Sequence, residues 1–217
     1  MLRAPALLAA CCAFLLSAVL LPVTASAQQP VRADIDYRVI KPQPVAVVER
    51  IEVIDFFWYG CPHCNNLQPA LERWIGSKPA DVIFRRIPAI LRDSWAPHAR
   101  IYYTLEVLGE VERLHQRVYH GYHVEELHMS KPEVMVAWAQ RNGIDRERWE
   151  QVYNSPEVQR KVEEAARLTR AYQVTGTPTL VVNGRYLTSG SMAESLNRVV
   201  AIVDGLVTKV RSEAGTR

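Results

Sequence analysis

Cys61 and Cys64, in the run Cys61-Pro62-His63-Cys64, are the side chains of this sequence best placed to do chemistry. Thiols at that spacing can close into a disulfide or open to a dithiol, and the thiolate is the form that reacts. The pair follows a β-branched, aromatic run and precedes a helical pattern. Cys61 therefore stands at a helix N-terminus, where unsatisfied N–H groups and the positive end of the dipole favour an anion. Cys61 is the expected acidified nucleophile, and Cys64, one turn in, the more buried resolving partner. Pro62 contributes no N–H but stiffens the turn, and His63 adds an imidazole that can donate or carry charge near the sulfur. A stabilised thiolate stabilises the reduced pair, so the disulfide becomes a stronger oxidant. If Cys61 ionises about 3 units below ambient pH, the reduced state gains roughly 4 kcal/mol, or about 90 mV for a two-electron couple.

The elements that must hold this pair are legible around it. Residues 51–57 (IEVIDFF) read as a buried central strand, and residues 37–40 as a short edge strand. Pro62 opens a helix with Leu67, Leu71, Trp74 and Ile75 on its apolar face and Pro69 inside it, where a kink is expected. Residues 81–89 form a second, parallel-type strand. Residues 93–155 are helical in pattern, with Gly109 and Gly143 as stops. Ser130-Lys131-Pro132-Glu133 has the form of a capping box, and Asp145 and Ser155 are candidate N-caps. A long helix is expected over 156–173. Then come a strand at 179–182, a type I′ turn at Asn183-Gly184, a return strand at 185–187 and a helix over 193–210 with a fraying tail.

The stretch Phe56-Phe57-Trp58-Tyr59-Gly60-Cys61-Pro62-His63-Cys64 resembles the active site of the DsbA family, periplasmic thiol:disulfide interchange proteins of the thioredoxin superfamily. The resemblance runs along the chain to Gly176-Thr177-Pro178-Thr179. It implies an α/β, thioredoxin-like fold with a helical insertion: thioredoxin-like parts at 28–92 and 160–217, and the insertion at 93–159. It implies a cis Thr177–Pro178 bond opposite the cysteines, presenting the Thr177 backbone to a substrate strand. It also gives Asp55, a carboxylate in an apolar strand six residues before Cys61, a part in proton transfer to and from Cys64. The implied activity is dithiol oxidation in newly exported proteins through a mixed disulfide at Cys61. Reoxidation would come from a DsbB-like inner-membrane oxidase. A monomer is expected, with no cofactor beyond the Cys61–Cys64 disulfide.

Other classes fit less well. The formal net charge of +3, without a Lys/Arg run, argues against nucleic acid as the main partner. Residues 1–27 have the layout of a cleaved signal peptide: Arg3, a long apolar run and Ala25-Ser26-Ala27. Export would place the protein in the periplasm, with Cys61 and Cys64 its only thiols. Asn65 excludes a c-type haem site. No metal site is expected, and His115, His120, His123 and His128 read as solvated surface residues, with no role assigned to them. Two rivals remain: a reductive or isomerising thioredoxin-like protein, and a periplasmic metal-binding module using Cys61, Cys64 and His63.

Overall fold

In the computed structural model the described residues are 30–215, and the signal peptide expected at 1–27 lies outside them. A five-stranded sheet has the order β1-β5-β4-β2-β3. Its strands are β1 (Arg38–Val39), β2 (Ile51–Phe57), β3 (Val82–Pro88), β4 (Thr179–Val182) and β5 (Tyr186–Ser189). β2 and β3 run parallel, while β4 pairs antiparallel with both β2 and β5. Every β2 residue is buried, as a strand covered on both faces must be.

Alternation along β2 divides the core. Ile51 and Val53 pack with Leu67, Leu71 and Trp74 of α1 (Pro62–Ser77) and with Val199, Ile202 and Leu206 of α7 (Leu196–Gly215). Ile54 and Phe56 face the opposite cluster. Its helices are α2 (Ala96–Leu108), α3 (Val111–His123), α4 (Pro132–Arg141), α5 (Arg146–Tyr153) and α6 (Pro156–Ala171). Leu67 and Leu71 are almost fully buried, each contributing about 1.5–3 kcal/mol against exposure. The division expected at 159/160 falls inside α6, one unbroken helix.

Local signals set most boundaries. The Asp145 carboxylate and the Ser155 hydroxyl accept the backbone N–H of Arg148 and Val158, at 3.0 and 3.2 Å. Gly109 ends α2 at φ 73°, and Asn183 and Gly184 turn at φ 50° and 68° as the type I′ hairpin requires. At Gly184 a Cβ would lie 2.3 Å from the Gln43 carbonyl oxygen, so a side chain is excluded by space as well as by φ. Three expectations are corrected. Lys131, not Ser130, caps α4 and makes no side-chain cap bond. The return strand begins at Tyr186, because Arg185 still belongs to the turn. α7 starts at Leu196, where the Ser195 hydroxyl accepts the Arg198 N–H, and stays helical to Gly215. Pro69 lies inside α1 without ending it.

The topology creates the site. β2 runs towards Cys61, while β4, antiparallel to it, begins immediately after Pro178. Both chain segments therefore meet at the same end of these two central strands.

Candidate active site

Cys61 is the N-cap of α1 in extended conformation (φ −91°, ψ 115°), with Pro62 in the first helical turn. Its own N–H bonds the Trp58 carbonyl at 3.0 Å, and its carbonyl accepts Asn65 N–H at 3.1 Å. Both cysteines are free thiols; Cys61 is 7% exposed and Cys64 fully buried. The Cys61 thiol is lowered to about 5. The largest cause is the hydrogen bond from the Cys64 thiol. The Thr177 side chain and the backbone N–H groups of Cys64 and His63 add to it, against the opposing effect of burial. Cys64 is pushed well above the ordinary thiol range by burial, and further by bonding and proximity to Cys61. The two sulfurs thus divide one proton unequally: the anion sits at the helix entrance and the proton one turn inside.

The His63 ring is exposed, and the stabilisation His63 gives Cys61 comes through its backbone N–H. The peptide bond Thr177–Pro178 is cis. The Thr177 carbonyl lies 3.2 Å from the Cys61 sulfur, accepting its hydrogen when Cys61 is a thiol. A thiolate has no hydrogen to give that carbonyl; from Thr177 it keeps the side-chain bond, which favours the anion.

Asp55 is 1% exposed, and neither of its carboxyl oxygens has a hydrogen-bond partner among the described residues. It shares a sheet face with Val53 beneath α1, paired in register with Arg86 on β3 and Leu180 on β4. Burial raises its carboxyl to about 7; Arg86 pulls it down, while Glu72 and Cys61 push it up. Arg86 instead holds Glu72 at 2.5 Å.

Sequence reasoning missed a second ring of residues around the loop that precedes Cys61. Trp58 stacks on Trp95 with centroids 4.1 Å apart, and His98 lies against the same indole. Burial holds the His98 ring down to about 4. The Tyr59 hydroxyl and His115 Nδ1 are 2.9 Å apart, and His123 Nε2 donates to the Tyr59 carbonyl at 2.8 Å. His115 is therefore not the solvated residue expected: it is 3% exposed and kept neutral by burial, and His123 is half-buried. His120 and His128 are exposed. The missed signal was the helical spacing of Val111, His115, Val118 and Tyr122, which puts His115 on an apolar face. Tyr59→Phe should cost about 1–3 kcal/mol by leaving His115 without a partner in the core, read by urea unfolding. An unchanged midpoint would show that the pair contributes nothing.

Two comparisons place this geometry. The DSBA-like thioredoxin domain matches residues 80–200, covering the helical block and the Thr177–Pro178 loop. The thiol:disulfide interchange protein DsbA of Pseudomonas aeruginosa is 38% identical over 173 residues, spanning 80% of this chain and 82% of the relative. This chain belongs to the DsbA family. Its Burkholderia cepacia relative of the same name is 33% identical over 82% of this chain and 85% of the relative. The crystal structure of P. aeruginosa DsbA superposes with a TM-score of 0.82 at 36% identity, covering 85% of this chain and 97% of that one. The corresponding Xylella fastidiosa oxidoreductase gives 0.76 at 30% identity, covering 82% and 96%. Family membership, together with the paired free thiols, makes this DsbA-family protein a thiol:disulfide oxidoreductase with a thioredoxin-like α/β fold. Among the described residues, no helix is long and apolar enough to cross a membrane.

Proposed function

We propose that this protein oxidises dithiols in newly exported proteins of the periplasm, using the Cys61–Cys64 disulfide as its only redox group. The observation that carries the reading is the opposite displacement of the two thiols, Cys61 lowered to about 5 and Cys64 raised. A substrate thiolate attacks the Cys61 sulfur, the Cys61–Cys64 bond breaks, and Cys64 leaves with the electron pair and takes a proton. Asp55, close enough to influence Cys64 electrostatically and poised near neutrality, is suited to supply that proton and to recover it on reoxidation. A second substrate thiolate then attacks the substrate sulfur of the mixed disulfide and expels Cys61. The substrate loses two electrons and two protons; one proton rests on Cys64 and the other goes to solvent, because Cys61 leaves as a stable anion. Low basicity makes Cys61 a good leaving group, so release is fast.

Thr177 and Pro178 border the cysteines and offer backbone to an extended substrate segment. Pro62 fixes the turn, and His63, with its exposed ring, lies where an incoming thiol passes. The reduced protein would return its electrons to a DsbB-like membrane oxidase, and it would act as a monomer. Relative to an unperturbed thiol, a Cys61 value of about 5 stabilises the reduced form at pH 7 by up to about 2.7 kcal/mol, less any solvent screening at the groove mouth. That corresponds to about 60 mV, smaller than the 90 mV set by a three-unit shift. Equilibration against defined glutathione ratios tests the direction. A potential clearly above that of thioredoxin, about −270 mV, is expected; one at or below it would favour a reductive role.

A further inference from the structure

Beside the cysteines lies a groove of about 440 Å³ with an apolar floor that includes Pro178, Leu187 and Met192. Its rim carries hydroxyls such as Ser189 and Ser191. Among the described residues its ionisable lining side chains are Arg38 and His63, and no carboxylate lines it. Arg85 pairs with Glu52 and Arg198 with Asp36, each at 2.7 Å. Arg38, like several exposed arginines, pairs with no carboxylate among the described residues, but it alone of these lines this groove. Its guanidinium is fixed by donating to the Gln173 carbonyl at 2.7 Å, and its Nε is buried with no partner. A guanidinium that is half-buried, held in place and without a carboxylate partner can donate its remaining Nη N–H groups to a substrate carboxylate, the group its charge and planar geometry suit.

We infer that Arg38 makes this groove selective for substrate segments carrying an Asp or Glu side chain near the reacting cysteine. The inference rests on the dithiol-oxidase reading above and names the substrate chemistry of that same site. Strand pairing through the Thr177 backbone is indifferent to sequence, so the fixed Arg38 cation is the element of the groove that can tell an acidic side chain from a neutral one. The effect belongs to binding: an acidic side chain lowers KM, while the sulfur chemistry and kcat remain those of the cysteine pair.

The test uses the full-length mature protein in its disulfide form and two-cysteine peptides that differ at one position. That position carries Glu, Gln or Lys and is moved through the three sites on either side of the attacking cysteine. A neighbouring Glu makes the peptide's own thiol less acidic and slows all its exchange reactions. Each rate is therefore divided by that of the same peptide with oxidised glutathione. Expected at one or more sites is a KM lowest for Glu and highest for Lys, with roughly fivefold between Glu and Gln, shrinking with added salt. Arg38→Gln should abolish the ranking and Arg38→Lys should keep its direction. Equal KM values at every site would overturn the inference, as would a Glu preference that survives Arg38→Gln. So would loss in both variants, which would assign Arg38 only to holding Gln173. If the Gln peptide is not oxidised at all, the dithiol-oxidase reading itself fails, a result distinct from oxidation without ranking.

Discussion

Cys61→Ser should abolish dithiol oxidation, with a loss on the order of a thousandfold or more, while Cys64→Ser should trap substrate rather than merely slow it. The asymmetry follows from the two sulfurs' places. Cys61 is the anion at the entrance of α1, touching the Thr177 loop, and Cys64 is sealed beneath it. Without Cys61 there is no disulfide to attack, and Cys64 has neither exposure nor a lowered pKa with which to substitute. Without Cys64, the Cys61 thiolate can still join a mixed disulfide with an oxidised substrate, but nothing inside resolves it. Non-reducing electrophoresis with a two-cysteine substrate supplied in its disulfide form reads both outcomes. A Cys64→Ser protein that accumulates no adduct, or a Cys61→Ser protein that does, would reverse the assignment of nucleophile and resolver.

The second large effect concerns stability. Asp55→Asn should make the dithiol form more stable at neutral pH, by up to about 4 kcal/mol, and flatten its pH dependence. The carboxyl is raised from 3.8 to about 7 by burial, so folding at neutral pH must protonate it or bury a charge. Because the folded value is the higher one, its contribution is harmless below pH 3.8, where both states are protonated. Stability is then lost as pH rises from 3.8 towards 7, and the loss levels off above 7. Three units at about 1.4 kcal/mol each set the ceiling. Asparagine has the shape of the neutral acid and cannot ionise. Urea unfolding of wild type and variant between pH 4 and 8 checks this: the curves should converge near pH 4 and separate towards 7. Parallel curves would mean that Asp55 does not titrate in the folded protein. The same variant should oxidise substrate more slowly, because the proton it exchanges with Cys64 is gone. Stability held back at a working residue is a common exchange.

What the sequence made legible was what local rules decide. β2 was readable from five apolar positions among its seven residues, the start of α1 from Pro62, and the hairpin from Asn183-Gly184. The Cys61–Cys64 pair and the cis Thr177–Pro178 bond were also anticipated, the latter through family resemblance alone. The misses depend on distant partners. The end of α7 stays helical where fraying was expected because Arg211 pairs with Asp81 at 2.6 Å and Tyr186 donates to Glu213 at 2.6 Å. Both partners lie far away in sequence, and tertiary contacts decide helix ends that propensity leaves open. His115 reads as solvated when grouped with His120, His123 and His128 for want of a completed metal site, whereas its neighbours along α3 put it against Phe57 and Tyr59. Arg38 carries no motif at all, and only the folded groove brings it to the rim.

One titration tests the foundation of this mechanism most directly. The ultraviolet absorbance of the thiolate in the reduced protein, followed from pH 3 to 9 with Cys61→Ser as the blank, gives the ionisation of Cys61. A single transition near pH 5, absent from the variant, is the predicted result. A transition between 8 and 9, where an ordinary cysteine ionises, would contradict it: the helix entrance would then hold no stabilised anion, and the disulfide no added oxidising power.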